Sequence, residues 1–441
     1  MASPRATEVV AITTKVREKE PLLRAMMRLA RKNGVSNAKV SLLCKSMPYL
    51  RNLTKAVTWR LVCFLAMLPL TFLQGQVTPA AARKGLYLPY LEGKNIGLVA
   101  NSATVAGDQH LVDLLVQNGI KVACIFSPEH GFRLTGEAGE TIGDTVDPAT
   151  GIRVISLYGK GKKPSREALQ PLDRVVFDLQ DVGVRFYTYI STLTYVMEAC
   201  AEHGKPLLVL DRPNPNGFYV DGPVLEKEYS SFVGMHPVPV VYGMTIGEYA
   251  QMVNGEGWLK QGLRCDLRVI PVGNYTHASR CVLPVRPSPN LPGMDAVILY
   301  PSLCFFEGTS ISVGRGTPVP FSVYGHPDLG YGDFYFTPVP VPGASLHPSH
   351  EGVRCRGEEL SGYLAGNPHD SGRIVLRWLL EAWKDLGKRE PFFNDYFEKL
   401  AGTGMLRQQI LDGMDETEIR RTWAPGLAAF AAMREKYLLY P

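Results

Sequence analysis

From residue 95 to residue 210 short apolar runs alternate with segments of helical periodicity, and that alternation leaves few folds open. The runs at 96–100 (IGLVA), 121–126 (KVACIF), 152–157 (IRVISL), 174–179 (RVVFDL) and 207–210 (LLVL) are strand-length and bounded by turn residues. Between them, 110–118 reads as a helix ended by Gly119, and 187–202 as a longer one that buries Ile190, Leu193, Met197 and Cys200. Strand and helix alternating at such short intervals predict parallel βαβ units, hence an α/β fold with a Rossmann-like, mainly parallel sheet. After Gly217 the text becomes rich in Pro and Gly, with a helix near 245–254 and strands near 267–271 and 296–299. A boundary is placed near Tyr300, giving a Rossmann-like catalytic domain over 83–300 and a smaller C-terminal α/β domain over 301–441. In the latter, turn-rich loops extend to about Gly372, followed by helices near 373–386, 392–400 and 422–437.

The 441 residues carry 47 Lys and Arg against 42 Asp and Glu, but the distribution matters more than the net +5. Residues 1–60 hold 13 basic and three acidic side chains, which leaves 34 against 39 in the rest, about −5. A basic excess confined to the leader gives no support to nucleic-acid binding by the body. The uncharged run LVCFLAMLPLTFL at 61–73 follows Arg51, Lys55 and Arg60 and precedes small residues at Gly75 and Ala80 to Ala82. That is the tripartite pattern of a secretory signal and is short for a membrane span, so the mature chain is expected in the periplasm or cell envelope without a stable span. The stretch before Met47 is long for such a signal, and Met47 is the expected true start; residues 1–82 are set aside as leader. Six cysteines remain, of which Cys265 and Cys281 are the most plausible disulfide pair, while Cys124, Cys200 and Cys304 sit in apolar runs.

In open α/β sheets ligands bind at the carboxyl ends of strands, and there the polar residues collect. Asn101, Ser102 and Thr104 follow the first strand; Glu129, His130 and Arg133 the second; Asp178, Gln180, Asp181, Arg185 and Tyr187 the fourth; Asp211, Arg212 and Asn214 the fifth. A second cluster, residues 305–317 (FFEGTSISVGRGT), sets Glu307 after an apolar run and Arg315 between glycines, as a sugar or carboxylate ligand would need. No GxGxxG follows the first strand, and GxxxxGK[ST], GxSxG and HExxH do not occur, so no nucleotide, cofactor or metal is expected. His347 and His350 form HxxH in a Pro-flanked stretch that reads as a surface loop.

Six motifs go further: SPEHGFR (127–133), DLQDVGVRFYTY (178–189), LDRPNPNG (210–217), PSPNLP (287–292), FEGTSISVGRGTPVPF (306–321) and KYLLYP (436–441). In these, from about Gly85 to the C-terminus, the chain resembles the exo-β-N-acetylmuramidases of the NamZ family; Leu134 departs from a pattern that tends to continue with Gly. The resemblance implies a secreted glycoside hydrolase that releases terminal N-acetylmuramic acid from the non-reducing ends of peptidoglycan fragments, muropeptides or disaccharides. Glycosidic cleavage commonly needs a carboxylic acid and a second group that activates water or stabilises the oxocarbenium ion. Glu129 is the expected acid, with His130 tuning or orienting it. The second role falls to Asp181, Asp178, Glu307 or the substrate's own acetamido group. Arg185, Arg315 and Tyr187 are candidates for holding the lactyl carboxylate and hydroxyls, with Asn101, Thr104, Arg133, Asp211 and Asn214 as further binding residues. A non-catalytic sugar-binding protein and a glycan deacetylase or esterase are the alternatives.

Overall fold

Each predicted apolar run of the N-terminal half forms a strand, and its near-continuous hydrophobicity has a structural cause. A computed structural model describes residues 76–129, 131–132, 144–159, 161–387 and 391–441. The expected signal segment, Met47, His130, Arg133 and Leu134 lie outside the described residues. The main sheet comprises β1 (Asn95–Val99), β2 (Lys121–Ser127), β3 (Thr145–Val146), β4 (Arg153–Ser156), β5 (Arg174–Phe177), β6 (Leu207–Leu210) and β7 (Leu267–Ile270). They lie in the order β7-β6-β5-β1-β2-β4-β3, every neighbouring pair parallel except β3 with β4. Successive side chains serve two different cores: Val175, Phe177, Leu207 and Val209 point into one, and Val176, Leu208 and Leu210 into the other. Strands buried on both faces cannot show the polar alternation of a half-exposed sheet.

Helices α1 (Leu111–Gln117), α2 (Tyr189–Glu202) and α3 (Ile246–Gly255) supply the covering layers. Ile190, Leu193, Met197 and Cys200 of α2 are all buried as their spacing predicts. One glycine in the sheet is required by packing: a Cβ on Gly97 would lie 2.6 Å from Leu172 Cδ1 and 2.7 Å from Phe126 Cε2. From β1 the chain moves outward to β2 and β4 and then returns to β5 on the other side of β1, so polar strand ends gather at one edge around that reversal.

Several sequence expectations are corrected. Residues 296–299 are not a strand but part of α4 (Met294–Leu303), which runs through Tyr300; its apolar run is buried as a helix. The stretch read as turn-rich loops contains an antiparallel sheet of β8 (Val323–His326), β9 (Phe334–Phe336) and β10 (Cys355–Glu359), in the order β8-β10-β9. Its centre strand, CRGEE, has no hydrophobic alternation to announce it. After α5 (Arg377–Leu386), the last long helix, α6 (Glu416–Arg434), starts six residues before the predicted 422, because Asp415 and Glu418 form a reciprocal capping box. Ala80 and Ala81, set aside with the leader, are fully buried, and Ala80 N–H donates to Asp211 O at 3.0 Å, so the folded body includes them. All six cysteines of the described region are free thiols, and Cys265 and Cys281 are not bridged.

Arg185, expected at a ligand, is instead fully buried. Nη1 donates to Pro223 O at 2.9 Å and Val238 O at 2.8 Å, and Nη2 to Leu400 O at 2.9 Å and Ala401 O at 2.7 Å. Pro223 lies in, and Val238 adjoins, the two-stranded ribbon of Asp221–Val224 and Pro239–Val241, so one guanidinium ties the loop after β5 to that ribbon and to the helix Phe397–Ala401. Arg185→Met keeps much of the volume and removes every donor. Four buried carbonyls then lose the guanidinium, Val238 O keeping a donor in Leu225 N–H, and urea denaturation is expected to show a loss of at least about 3 kcal/mol.

Candidate active site

The site begins where β2 ends. Ser127 closes the strand, and Glu129 follows at the carboxyl edge of the sheet. Across from it stands the N-terminus of α2, whose N-cap residue, Thr188, makes no side-chain cap to its own helix. The Thr188 hydroxyl donates instead to Glu129 Oε2 at 3.3 Å, and the Tyr158 hydroxyl, just past β4, also bonds the Glu129 carboxylate. Burial, and then the neighbouring Glu129, push the Tyr158 phenol well above its ordinary value, so it stays a donor. Two hydroxyls and a helix N-terminus thus fix the orientation of one carboxylate.

A cleft of about 450 Å³ opens in front of Glu129. Its walls come from residues 186–189, from Ser288, Asn290 and Leu291, and from Tyr300, Arg315 and Phe321. Tyr187 and Tyr189 pack edge to face with ring centroids 4.7 Å apart. Tyr187 OH donates to Pro287 O at 2.6 Å, and Asn101 Nδ2 donates to Tyr189 OH at 2.7 Å. On the opposite side Arg315 Nε donates to Glu307 Oε1 at 2.6 Å, while Cys304 Sγ donates to Glu307 Oε2 at 3.4 Å. Burial works against the charge of Arg315, but Glu307 outweighs it and holds the guanidinium above its ordinary pKa. Arg315 therefore presents a permanent cation at the cleft.

The predicted residues divide sharply. Glu129, Tyr187 and Arg315 line the cleft, and Asn101 and Glu307 brace the groups that do. Asp178 is spent elsewhere: it forms a bidentate pair with Arg212 Nε and Nη2, both residues buried, at the reversal between β1 and β5. Thr104 Oγ1 donates to Asp178 O at 2.6 Å, and Arg212 Nη2 donates to Val105 O at 2.9 Å, which completes that plug. Asp211 accepts from Thr245 Oγ1 at 2.7 Å, from Gly247 N at 2.8 Å and from Tyr440 OH. Asn214 donates to Met244 O and accepts from Asn216 N. Asp178, Arg185, Thr104, Asp211 and Asn214 therefore hold the fold at the strand ends and do not line the cleft.

Asp181 is a separate case. Its Oδ2 accepts from Gly183 N at 2.6 Å and from Tyr242 OH, while Oδ1 is buried without a hydrogen-bond partner among the described residues. Burial pushes its pKa up to about 7, partly offset by those hydrogen bonds. Asp181 is not among the residues that line the cleft, although its charge is felt by the hydroxyls of Tyr187 and Tyr189, which are. Tyr158, Thr188, Ser288 and Asn290 were not anticipated as site residues. Ser288 and Asn290 lie within PSPNLP and Thr188 within DLQDVGVRFYTY, so their motifs were visible; Tyr158 carries no signal beyond following a strand. His350 Nε2 bonds Ser310 O at 2.7 Å and His347 is exposed, and among the described residues no three His, Cys, Asp or Glu side chains group as metal ligands.

Comparison with known proteins decides what the cleft belongs to. The family described as "Exo-beta-N-acetylmuramidase NamZ, N-terminal" matches residues 96–295, and its C-terminal counterpart matches 298–440. The chain belongs to the NamZ family. It is 39% identical over 375 residues to the "Peptidoglycan beta-N-acetylmuramidase NamZ" of Bacillus subtilis (strain 168), covering 80% of this chain and 89% of that one. Two crystal structures of DUF1343 family proteins from Bacteroides fragilis NCTC 9343 are similar across 83% of this chain and 99% of theirs. One has a TM-score of 0.77 at 44% identity, and the other 0.67 at 26%. As a NamZ family member the protein is a glycoside hydrolase with an α/β fold.

The raised pKa of Asp181 in this NamZ fold has a measurable sign. Unfolded, an Asp titrates near 3.9, whereas the folded carboxyl holds its proton to about pH 7. Its contribution to stability is present in full below about pH 4 and is lost as pH rises through 7. Urea unfolding of Asp181→Asn across pH 4 to 8 is expected to fall less steeply with pH than that of the wild type.

Proposed function

We propose that this NamZ family member is an exported, exo-acting hydrolase that releases terminal β-linked N-acetylmuramic acid from the non-reducing ends of peptidoglycan fragments. The observation that carries the reading is the placement of Glu129. Of the described residues lining the cleft it alone bears a carboxyl group, and Thr188 and Tyr158 hold it in position. In this reading Glu129 protonates the glycosidic oxygen as the bond to the anomeric carbon breaks. Asp178 is neutralised by Arg212, Asp181 does not line the cleft, and Glu307 is engaged by Arg315. The second role therefore passes to the substrate's own acetamido oxygen, which closes on the anomeric carbon as the leaving sugar departs. Water then opens that ring and returns a proton to Glu129. Arg315 offers the cation for the lactyl carboxylate, and the tyrosine rings offer flat faces for the pyranose.

Export is supported by the basic flank and apolar run at 61–73. Cleavage before Gln76 would leave buried Ala80 and Ala81 in place, and no helix among the described residues is long and apolar enough to cross a membrane.

Glu129→Gln is expected to lower kcat on a chromogenic β-N-acetylmuraminide at least about 100-fold with an unchanged melting temperature. Near-normal turnover would remove Glu129 from the proton transfer. In the same assay with muropeptides, release of acetate in place of free N-acetylmuramic acid would favour a deacetylase.

A further inference from the structure

A second cleft, of about 680 Å³, adjoins the one that holds Glu129, and the two share their walls. Along 288–292 the residues divide between them: Ser288 and Leu291 line the Glu129 cleft, Pro289 and Pro292 line the second, and Asn290 belongs to both. The next loop repeats the division, with Arg315 on one side and Gly316 and Thr317 on the other. The partition is closely packed: Gly316 has φ +81°, and a Cβ there would lie 2.5 Å from Val339 O.

Asn290 gives the second cleft its chemistry. The residue is 2% exposed, its Nδ2 donates to Ala344 O at 2.8 Å, and its Oδ1 is buried without a hydrogen-bond partner among the described residues. A buried amide oxygen left unpaired is destabilising, and a ligand hydroxyl or amide N–H that reached it would offset that cost. Around it proline rings form apolar walls, and exposed Arg286 stands at the lining. Apolar ring faces, one amide acceptor and one guanidinium match an amino sugar followed by a carboxylate.

We propose that this second cleft binds the leaving side of the glycan: the N-acetylglucosamine beyond the scissile bond, with Arg286 gripping the carboxylate of the muramyl residue after it. The assignment rests on the reading that the Glu129 cleft takes the terminal N-acetylmuramic acid. It explains why the two clefts adjoin through shared walls, since consecutive sugars of one chain must lie in neighbouring pockets.

Two arms test it. In the first, the disaccharide N-acetylglucosaminyl-N-acetylmuramic acid is titrated calorimetrically into wild type, Arg286→Ala and Val341→Trp; Val341 lines the second cleft, which the larger side chain fills. Val341→Trp is expected to weaken binding at least tenfold, and Arg286→Ala to weaken it several-fold for the free acid but not for its methyl ester. In the second arm, Val341→Trp is expected to lower kcat/KM about tenfold on the trisaccharide N-acetylmuramyl-N-acetylglucosaminyl-N-acetylmuramic acid. The chromogenic monosaccharide should be hydrolysed within twofold of wild type. Unchanged disaccharide binding in both folded variants overturns the proposal, as does a parallel loss on the monosaccharide. Failure of the wild type to cleave any of these substrates would sink the hydrolytic reading, while the titration still decides whether the second cleft binds glycan.

Discussion

The buried guanidinium of Arg185 is the constraint on which the rest of the molecule is organised. It pins the segment that leaves β5 to the Asp221–Val224 and Pro239–Val241 ribbon and to Leu400 and Ala401, through four carbonyls that no other cation among the described residues serves. Two residues further on, the same segment carries Tyr187, Thr188 and Tyr189, the wall of the cleft and the hydroxyl that orients Glu129. The loop is therefore positioned by chain more than two hundred residues away. This explains why Gly75–Pro441 forms one compact unit although its sheets are separate.

Four acidic side chains at neighbouring strand ends show how environment divides labour among identical groups. Asp178 finds Arg212 and becomes a structural ion pair. Among the described residues Asp181 and Asp211 find neutral donors but no cation, and burial raises each pKa to about 7. A carboxyl in that state acts as a hydrogen-bonding strut that resents high pH. Glu129 alone opens into a cleft. The difference lies less in the residues than in what each strand end meets: a second strand end, a helix or open space.

Reading the sequence recovered the parallel sheet and the position of Glu129 because both follow from local pattern. Doubly buried strands are continuous apolar runs, and a ligand site at their carboxyl ends follows from topology. The runs could not say which polar groups turn inward. Arg185, Asp211 and Asn214 carry the same chemistry as Arg315 and Glu129, yet their partners are main-chain carbonyls and amides or distant residues such as Tyr440, which no local pattern encodes. Residues 296–299 misled for a related reason: a short apolar run cannot tell a buried strand from a buried helix. The small sheet built on CRGEE escaped because its centre strand is half polar, and Tyr158 because its role depends on the folded distance to Glu129.

The six thiols of the described region have a consequence for where such a fold can live. None is cross-linked, and burial pushes Cys124, Cys281 and Cys355 up to about 11 and Cys265 to about 12, with Cys200 and Cys304 also raised. Thiol chemistry runs through the thiolate, so these sulfurs are poor substrates for oxidants and for disulfide exchange. Packing, hydrogen bonds and ion pairs, not disulfides, hold the described region together. Among the described residues the fold accordingly contains no disulfide whose formation an oxidising catalyst would have to assist.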